Sequence, residues 1–97
     1  MVMTVRHQLS QDEALRRIQS VIAHTKAQYS DKLTDLSDIW NGYIGTFQIS
    51  VQNQQVSGTV NINPSDVRIQ AALPFVTWFF KSEIESRLRE ELTRILT

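Results

Sequence analysis

The chain contains no cysteine, which removes disulfide frameworks, thiolate nucleophiles and cysteine-ligated zinc. Neither sign of charge is in excess. Ten Lys+Arg stand against ten Asp+Glu, so the basic stripe that nucleic acid demands is not visible. Long hydrophobic runs are missing too. The longest mainly apolar stretch, Ala71 to Phe80, is about half the ~20 residues a membrane-spanning helix needs. The first ten residues lack the apolar core of a signal peptide, and Asp12-Glu13 follow at once. A protein made and kept in the cytoplasm is expected. Glycine and proline are scarce, at three and two residues. Gly42, Gly45 and Gly58 fall in or between alternating segments rather than in a phosphate-cradling loop. There is no G-x-S-x-G elbow. The 97 residues are expected to form one domain, 1–97, able to bury roughly 60–65% of its unfolded surface.

What is present begins with a helix start. Ser10-Gln11-Asp12-Glu13 fits a capping box, in which the serine oxygen accepts from the Glu13 N–H and the Glu13 carboxylate reaches back to Ser10. Leu9 and Ala14 flank it as a hydrophobic staple. Ala14, Leu15, Ile18, Ile22, Thr25 and Tyr29 then recur at helical spacing. An amphipathic helix is predicted from about Gln11 to Tyr29, leaving through Ser30-Asp31.

The middle of the chain changes period from 3.6 to 2. Phe47, Ile49 and Val51 alternate with polar residues, as do Val56, Gly58, Val60 and Ile62, and then Val67, Ile69, Ala71 and Leu73. One apolar and one polar face per strand predicts an antiparallel sheet covered on one side. Asn53-Gln54-Gln55 and Asn63-Pro64-Ser65-Asp66 supply turns. Asn41-Gly42 predicts a type I′ hairpin that sets Trp40 against Tyr43 and Leu36 against Phe47. That makes Leu33 to Trp40 an outer strand. There Asp35 and Asp38 discourage edge-to-edge association and face opposite sides.

Leu73-Pro74 opens the last element with three of the four phenylalanines and one of the two tryptophans. Val76, Phe80, Ile84, Leu88, Leu92 and Leu96 stack on one stripe of a helix from about Phe75 to Leu96, with Phe79 and Ile95 beside it. The fold class is therefore α+β: a four-stranded antiparallel meander with an N-terminal and a long C-terminal helix on one face, αββββα. Leu36, Trp40, Phe47, Ile49, Val60, Ile62, Ile69, Phe80, Ile84 and Leu88 are expected in the core. The long helix outreaches a seven-residue strand by a turn or more. That overhang would expose Leu92, Ile95 and Leu96 at one end or Phe75 and Trp78 at the other. A homodimer or a hydrophobic partner contact is expected to cover one end.

Candidate chemistry is thin. Glu83/Arg87, Glu85/Arg89 and Glu90/Arg94 have the spacing of solvated helical ion pairs. His7 and His24, the only histidines, have no neighbour at ligand spacing and suit surface or capping roles, although His7 could bond the first helical turn or lie beside the sheet. Asp31, Asp35 and Asp38 do not make a carboxylate pair on a strand. No catalytic residue, metal ligand or cofactor is expected, and the protein is not expected to be an enzyme. The aromatic turn reads in two ways. Phe75, Phe79 and Phe80 belong to the core with Trp78 at its edge, or Phe75 and Trp78 form an exposed contact patch. Phe75, Trp78 and Phe79 are thus the candidate partner-binding residues. The outward sheet face, with Thr46, Gln48, Ser50, Ser57, Thr59, Asn61 and Gln70, is polar but almost uncharged. It is ordinarily just solvated, yet it could also meet a second copy of itself at little desolvation cost.

Several ordered motifs resemble one family. His7-x-Leu9-Ser10-x-x-Glu13-Ala14, Trp40-x-Gly42 leading to the Phe47 strand, Val56-Ser57-Gly58-Thr59-Val60, Leu73-Pro74, Phe80-Lys81 and Ile84-Glu85 look like the polyhydroxyalkanoic acid system proteins. These are small bacterial proteins associated with polyhydroxyalkanoate storage-granule gene regions. The resemblance runs from about Arg6 to Leu96. It lends no catalytic residues, and implies cytoplasmic association with polyester storage granules or their metabolism; the granule surface or a granule-coating protein is the expected partner. The expected function is a non-catalytic binding protein, with a carrier of small hydrophobic acyl chains as the alternative. A hydroxyacyl-ester hydrolase is disfavoured by the missing nucleophile–base pair.

Overall fold

The computed structural model describes residues 1–28, 34–51, 54–72 and 81–97. In chain order they form β1 (Val2–Arg6), α1 (Gln11–Gln28), β2 (Thr34–Asn41), β3 (Ile44–Val51), β4 (Gln54–Ile62), β5 (Asp66–Ala72) and α2 (Lys81–Ile95). The strands make one antiparallel sheet in the order β1-β5-β4-β3-β2. The α+β class and the four-strand meander agree with the sequence. The expected αββββα order does not, because an N-terminal strand precedes α1 and the order is βαββββα.

Strand β1 is short, and its buried residues are two, Met3 and Val5 between exposed Val2, Thr4 and Arg6. Pairing with β5 stabilises it. Met3 lies opposite Ile69 and Val5 opposite Val67, so its buried side chains join a face already apolar. Its ends are tied as well. The Met1 amino group donates to the Ala71 carbonyl at 2.9 Å, and the His7 N–H donates to Ser65 O at 2.9 Å.

Both helices cover the same face. Ala14 and Ile18 of α1, with Leu92 and Leu96 at the end of α2, are buried against Met3, Val5, Val60, Ile62, Val67 and Ile69. Helix α2 packs on β1 and α1 on β4, so the core sits over the β1–β5–β4 side. Val60, Ile62 and Ile69 are buried as expected. Leu36, Trp40, Phe47, Ile49 and Leu88 are only half-buried, the four sheet residues among them because β2 and β3 lie farther from the helices. Phe80 and the Ile84 side chain lie outside the described residues.

The first hairpin departs from its expected register. Its loop is Gly42-Tyr43, closed by the pair Asn41–Ile44, so that Trp40 faces Gly45 and Asp38 faces Phe47. The slide is two residues, which leaves the side chains from Ser37 to Asn41 on their expected faces, and a further one-residue register shift lies between Thr34 and Ser37. Ring size explains it. The Trp40 indole occupies the place where a Gly45 side chain would be, with ring atoms 2.8 Å from an ideal Cβ. A bulky Tyr43 could not accept that overlap; a bare glycine can. Gly42 has φ +62° at the first loop position, the positive φ that both primed hairpin turns require there. Nothing lies within 4 Å of a Cβ built there, so Gly42→Val tests backbone strain without a clash. It is expected to cost more than about 1 kcal/mol, read as a lowered urea midpoint with unchanged slope.

Candidate functional site

Phe75, Trp78 and Phe79, the residues expected to meet a partner, lie outside the described residues. The other end of the long helix is a correction. Leu92 and Leu96 are buried rather than overhanging, because β1 widens the sheet beneath α2. The Arg17 guanidinium also reaches the Ile95 and Thr97 carbonyls at 3.0 and 3.1 Å, satisfying acceptors at the helix C-terminus. Ile95 is half-buried, so among the described residues this end leaves little apolar surface to call for a second copy.

His7 is buried rather than on the surface, at 7% exposure. Its Nδ1 accepts from the Leu9 N–H at 3.2 Å, which places the ring proton on Nε2, and Nε2 donates to the Asn63 carbonyl at 3.1 Å. Histidine was placed by the Met3–Val5–His7 alternation, a signal readable once β1 is recognised. The ring pins the start of α1 to the β4–β5 turn, both of its nitrogens being engaged by backbone groups. His24 is exposed, as expected. An open groove of about 670 Å³ runs past His7, between Arg6, Gln8, Leu9, Ser65, Leu96 and Thr97.

A second groove, of about 480 Å³, lies between the helices and is lined by Arg16, Arg17, His24, Glu91 and Arg94 among others. Its cations are already engaged. Arg16 and Arg17 bind the Glu13 carboxylate at 2.5 and 2.9 Å, holding its pKa down at about 2 through hydrogen bonds from Arg16 first and Arg17 second. The Ser10 Oγ accepts from the Glu13 N–H at 3.1 Å, completing the expected half of the capping box, whereas the Glu13 carboxylate has been drawn off by the two arginines. Arg94 pairs with Glu91, one residue nearer than the expected Glu90. The Glu83–Arg87 pair forms at 3.3 Å. Arg89 donates to the Thr4 carbonyl at 3.2 Å, from a helix that lies against β1.

Asp38 stands on the helix side of β2, accepting from Trp40 Nε1 at 2.9 Å and from the Lys26 ammonium. The Lys26 hydrogen bond lowers its pKa against the opposing effect of burial. This contact ties the last turn of α1 to the outer strand and holds the indole over Gly45. It is a structural contact. Among the described residues, no three His, Asp or Glu side chains are grouped to hold a metal, and no helix is long and apolar enough to cross a membrane.

The surface without such local business is the opposite sheet face. With both helices on one side, none of the described elements covers it. Ile39, Thr46, Thr59, Gln70 and Val2 form one row across all five strands. Asn41, Ile44, Asn61, Arg68 and Thr4 form the next. Ile39 and Ile44, 74% and 51% exposed, are diagonal neighbours on β2 and β3. Val2 is 58% exposed at the far edge. Among the described outward side chains, charge is confined to Arg6, Asp66 and Arg68 on β1 and β5. Sequence reading finds the polar residues of this face but overlooks its isoleucines. Once Trp40 is placed inward, strand alternation requires Ile39 to point out.

The family model described as "Putative polyhydroxyalkanoic acid system protein" matches residues 1–96. No curated protein matches the chain, nor does any solved structure.

Proposed function

Because the chain belongs to the polyhydroxyalkanoic acid system family, we propose that it is a non-catalytic binding protein acting in the cytoplasm at polyhydroxyalkanoate storage granules. The observation that carries this reading is the extent of the family match, which takes in β1, both helices and every strand of the meander. The uncovered sheet face supports it, since a layered α+β domain normally solvates such a face with charge and here the central strands carry none outward. The carrier alternative has the 670 Å³ groove in its favour, large enough for an acyl chain. Among the described residues its lining mixes Leu9 and Leu96 with Arg6, His7, Gln8, Ser65 and Thr97, and the groove lies open along one side, which encloses a hydrocarbon poorly.

The test is fractionation of polyester-accumulating cells on a density gradient, with Trp78→Ala as a second chain. Wild-type protein is expected in the granule band, and in the soluble fraction when the cells store no polyester. Recovery in the soluble fraction under both conditions would remove the granule reading. Loss of the granule fraction on Trp78→Ala would bring the aromatic segment into the contact.

A further inference from the structure

We propose that the uncovered sheet face binds the polyester itself, with the hydroxyl and amide side chains of β3–β5 donating to ester carbonyls and Ile39 and Ile44 lying against the polymer's alkyl groups. This rests on the granule reading above and names the partner it leaves open.

The chemistry of the two surfaces is complementary. A polyester carries ester carbonyls that accept hydrogen bonds, alkyl groups between them, no charge, and no donor along its backbone. The middle of the face offers donors and little charge: Thr46, Gln48, Thr59, Asn61 and Gln70 point outward from three adjacent strands. Bringing them against an uncharged acceptor surface strips no ion of water, the costliest form of desolvation. Ile39 and Ile44 supply the apolar contact, diagonal neighbours toward one margin. Arg6, Asp66 and Arg68 stay together at the other, where they can remain in water.

Area separates this occupant from a second copy. Five strands spaced by ~4.8 Å, each about seven residues long, make a face of roughly 24 by 23 Å, or on the order of 550 Å². A standard protein pair buries about 800 Å² on each side. Two such polar faces would make a small and weak dimer. A granule is continuous, so a small contact is repeated wherever the protein lands and rebinding holds it near the surface.

The experiment measures binding to a protein-free film of poly(3-hydroxybutyrate), a polyester of that class. It uses wild type, Thr59→Lys in the centre of the face, Ile39→Lys at its apolar margin, and Ser20→Lys on the exposed side of α1 as control. Circular dichroism and a thermal melt establish that each is folded, and two test variants guard against one failing. Wild type and Ser20→Lys are expected to bind alike, and Thr59→Lys and Ile39→Lys at least ten-fold more weakly. Folded test variants that bind as well as wild type would overturn the proposal. So would wild type that ignores the bare film while sedimenting with native granules, an outcome that leaves the granule reading standing. Absence from film and native granules alike removes both. A shift from dimer to monomer in light scattering with film binding retained would make the face a self-interface and overturn the proposal.

Discussion

Gly58→Val is expected to be the most damaging single substitution in the sheet, lowering stability by about 2–3 kcal/mol and the melting temperature by roughly 10 °C or more. Gly58 lies between Phe47 of β3 and Ala71 of β5, paired with both. An ideal Cβ there would sit 2.2 Å from the Gln70 carbonyl oxygen, 2.7 Å from the Phe47 ring and 3.0 Å from Ala71 Cα. Two of these three neighbours are backbone atoms of a central strand, which cannot swing aside as a lysine tip would. The Phe47 ring covers the glycine as Trp40 covers Gly45, so the sheet keeps its close approach without leaving bare backbone to water. Equilibrium urea unfolding checks this. A loss below about 0.5 kcal/mol would show that the strands part easily at this position.

Leu96→Ala is expected to cost about 2–4 kcal/mol by the same measurement, although the residue is next to last in the chain. Its side chain is 1% exposed and belongs to the core cluster with Leu92, Met3 and Val5. A helix end overhanging the sheet would make the same change nearly neutral, a few tenths of a kcal/mol. The substitution therefore distinguishes the seated helix end from the exposed one that helix and strand lengths alone suggest. A neutral result would return the apolar surplus to the surface and restore the motive for a partner there.

The contrast shows which kinds of information reside in local sequence. Helix α1 is readable because its cap and its 3.6-residue period lie within one segment. Ser10 at the cap and Ala14 and Ile18 on the buried stripe stand where the pattern puts them. Strands β3 to β5 are readable from alternation. Strand β1 is not, since its apolar residues Val2, Met3 and Val5 do not alternate strictly and the five-residue segment becomes a strand only through β5, far along the chain. The consequences spread from that omission. His7 reads as a surface residue until β1 carries it beneath the helix start, and Leu96 reads as surplus until β1 widens the sheet. Hairpin register is a separate matter. The Asn41-Gly42 signal locates the turn, but Trp40 fitting over Gly45 decides which residues face each other. Ile39 and Ile44 were legible in principle, since they alternate with inward neighbours. The candidate contact residues Phe75, Trp78 and Phe79 lie outside the described residues, and the face across from the helices is where the structure adds a surface of its own.

The absence of cysteine permits a direct test of whether that face meets the granule. A single thiol is introduced by Thr46→Cys, exposed on β3 beside the central strand of the face, and in a separate chain by Ser20→Cys, exposed on α1. Each protein is allowed to bind purified granules and is then treated with a water-soluble maleimide. The expected result is slow labelling of Thr46→Cys on granules, fast labelling of the same protein free in solution, and equal rates for Ser20→Cys in both states. Labelling of granule-bound Thr46→Cys at its free rate would contradict the sheet face as the contact.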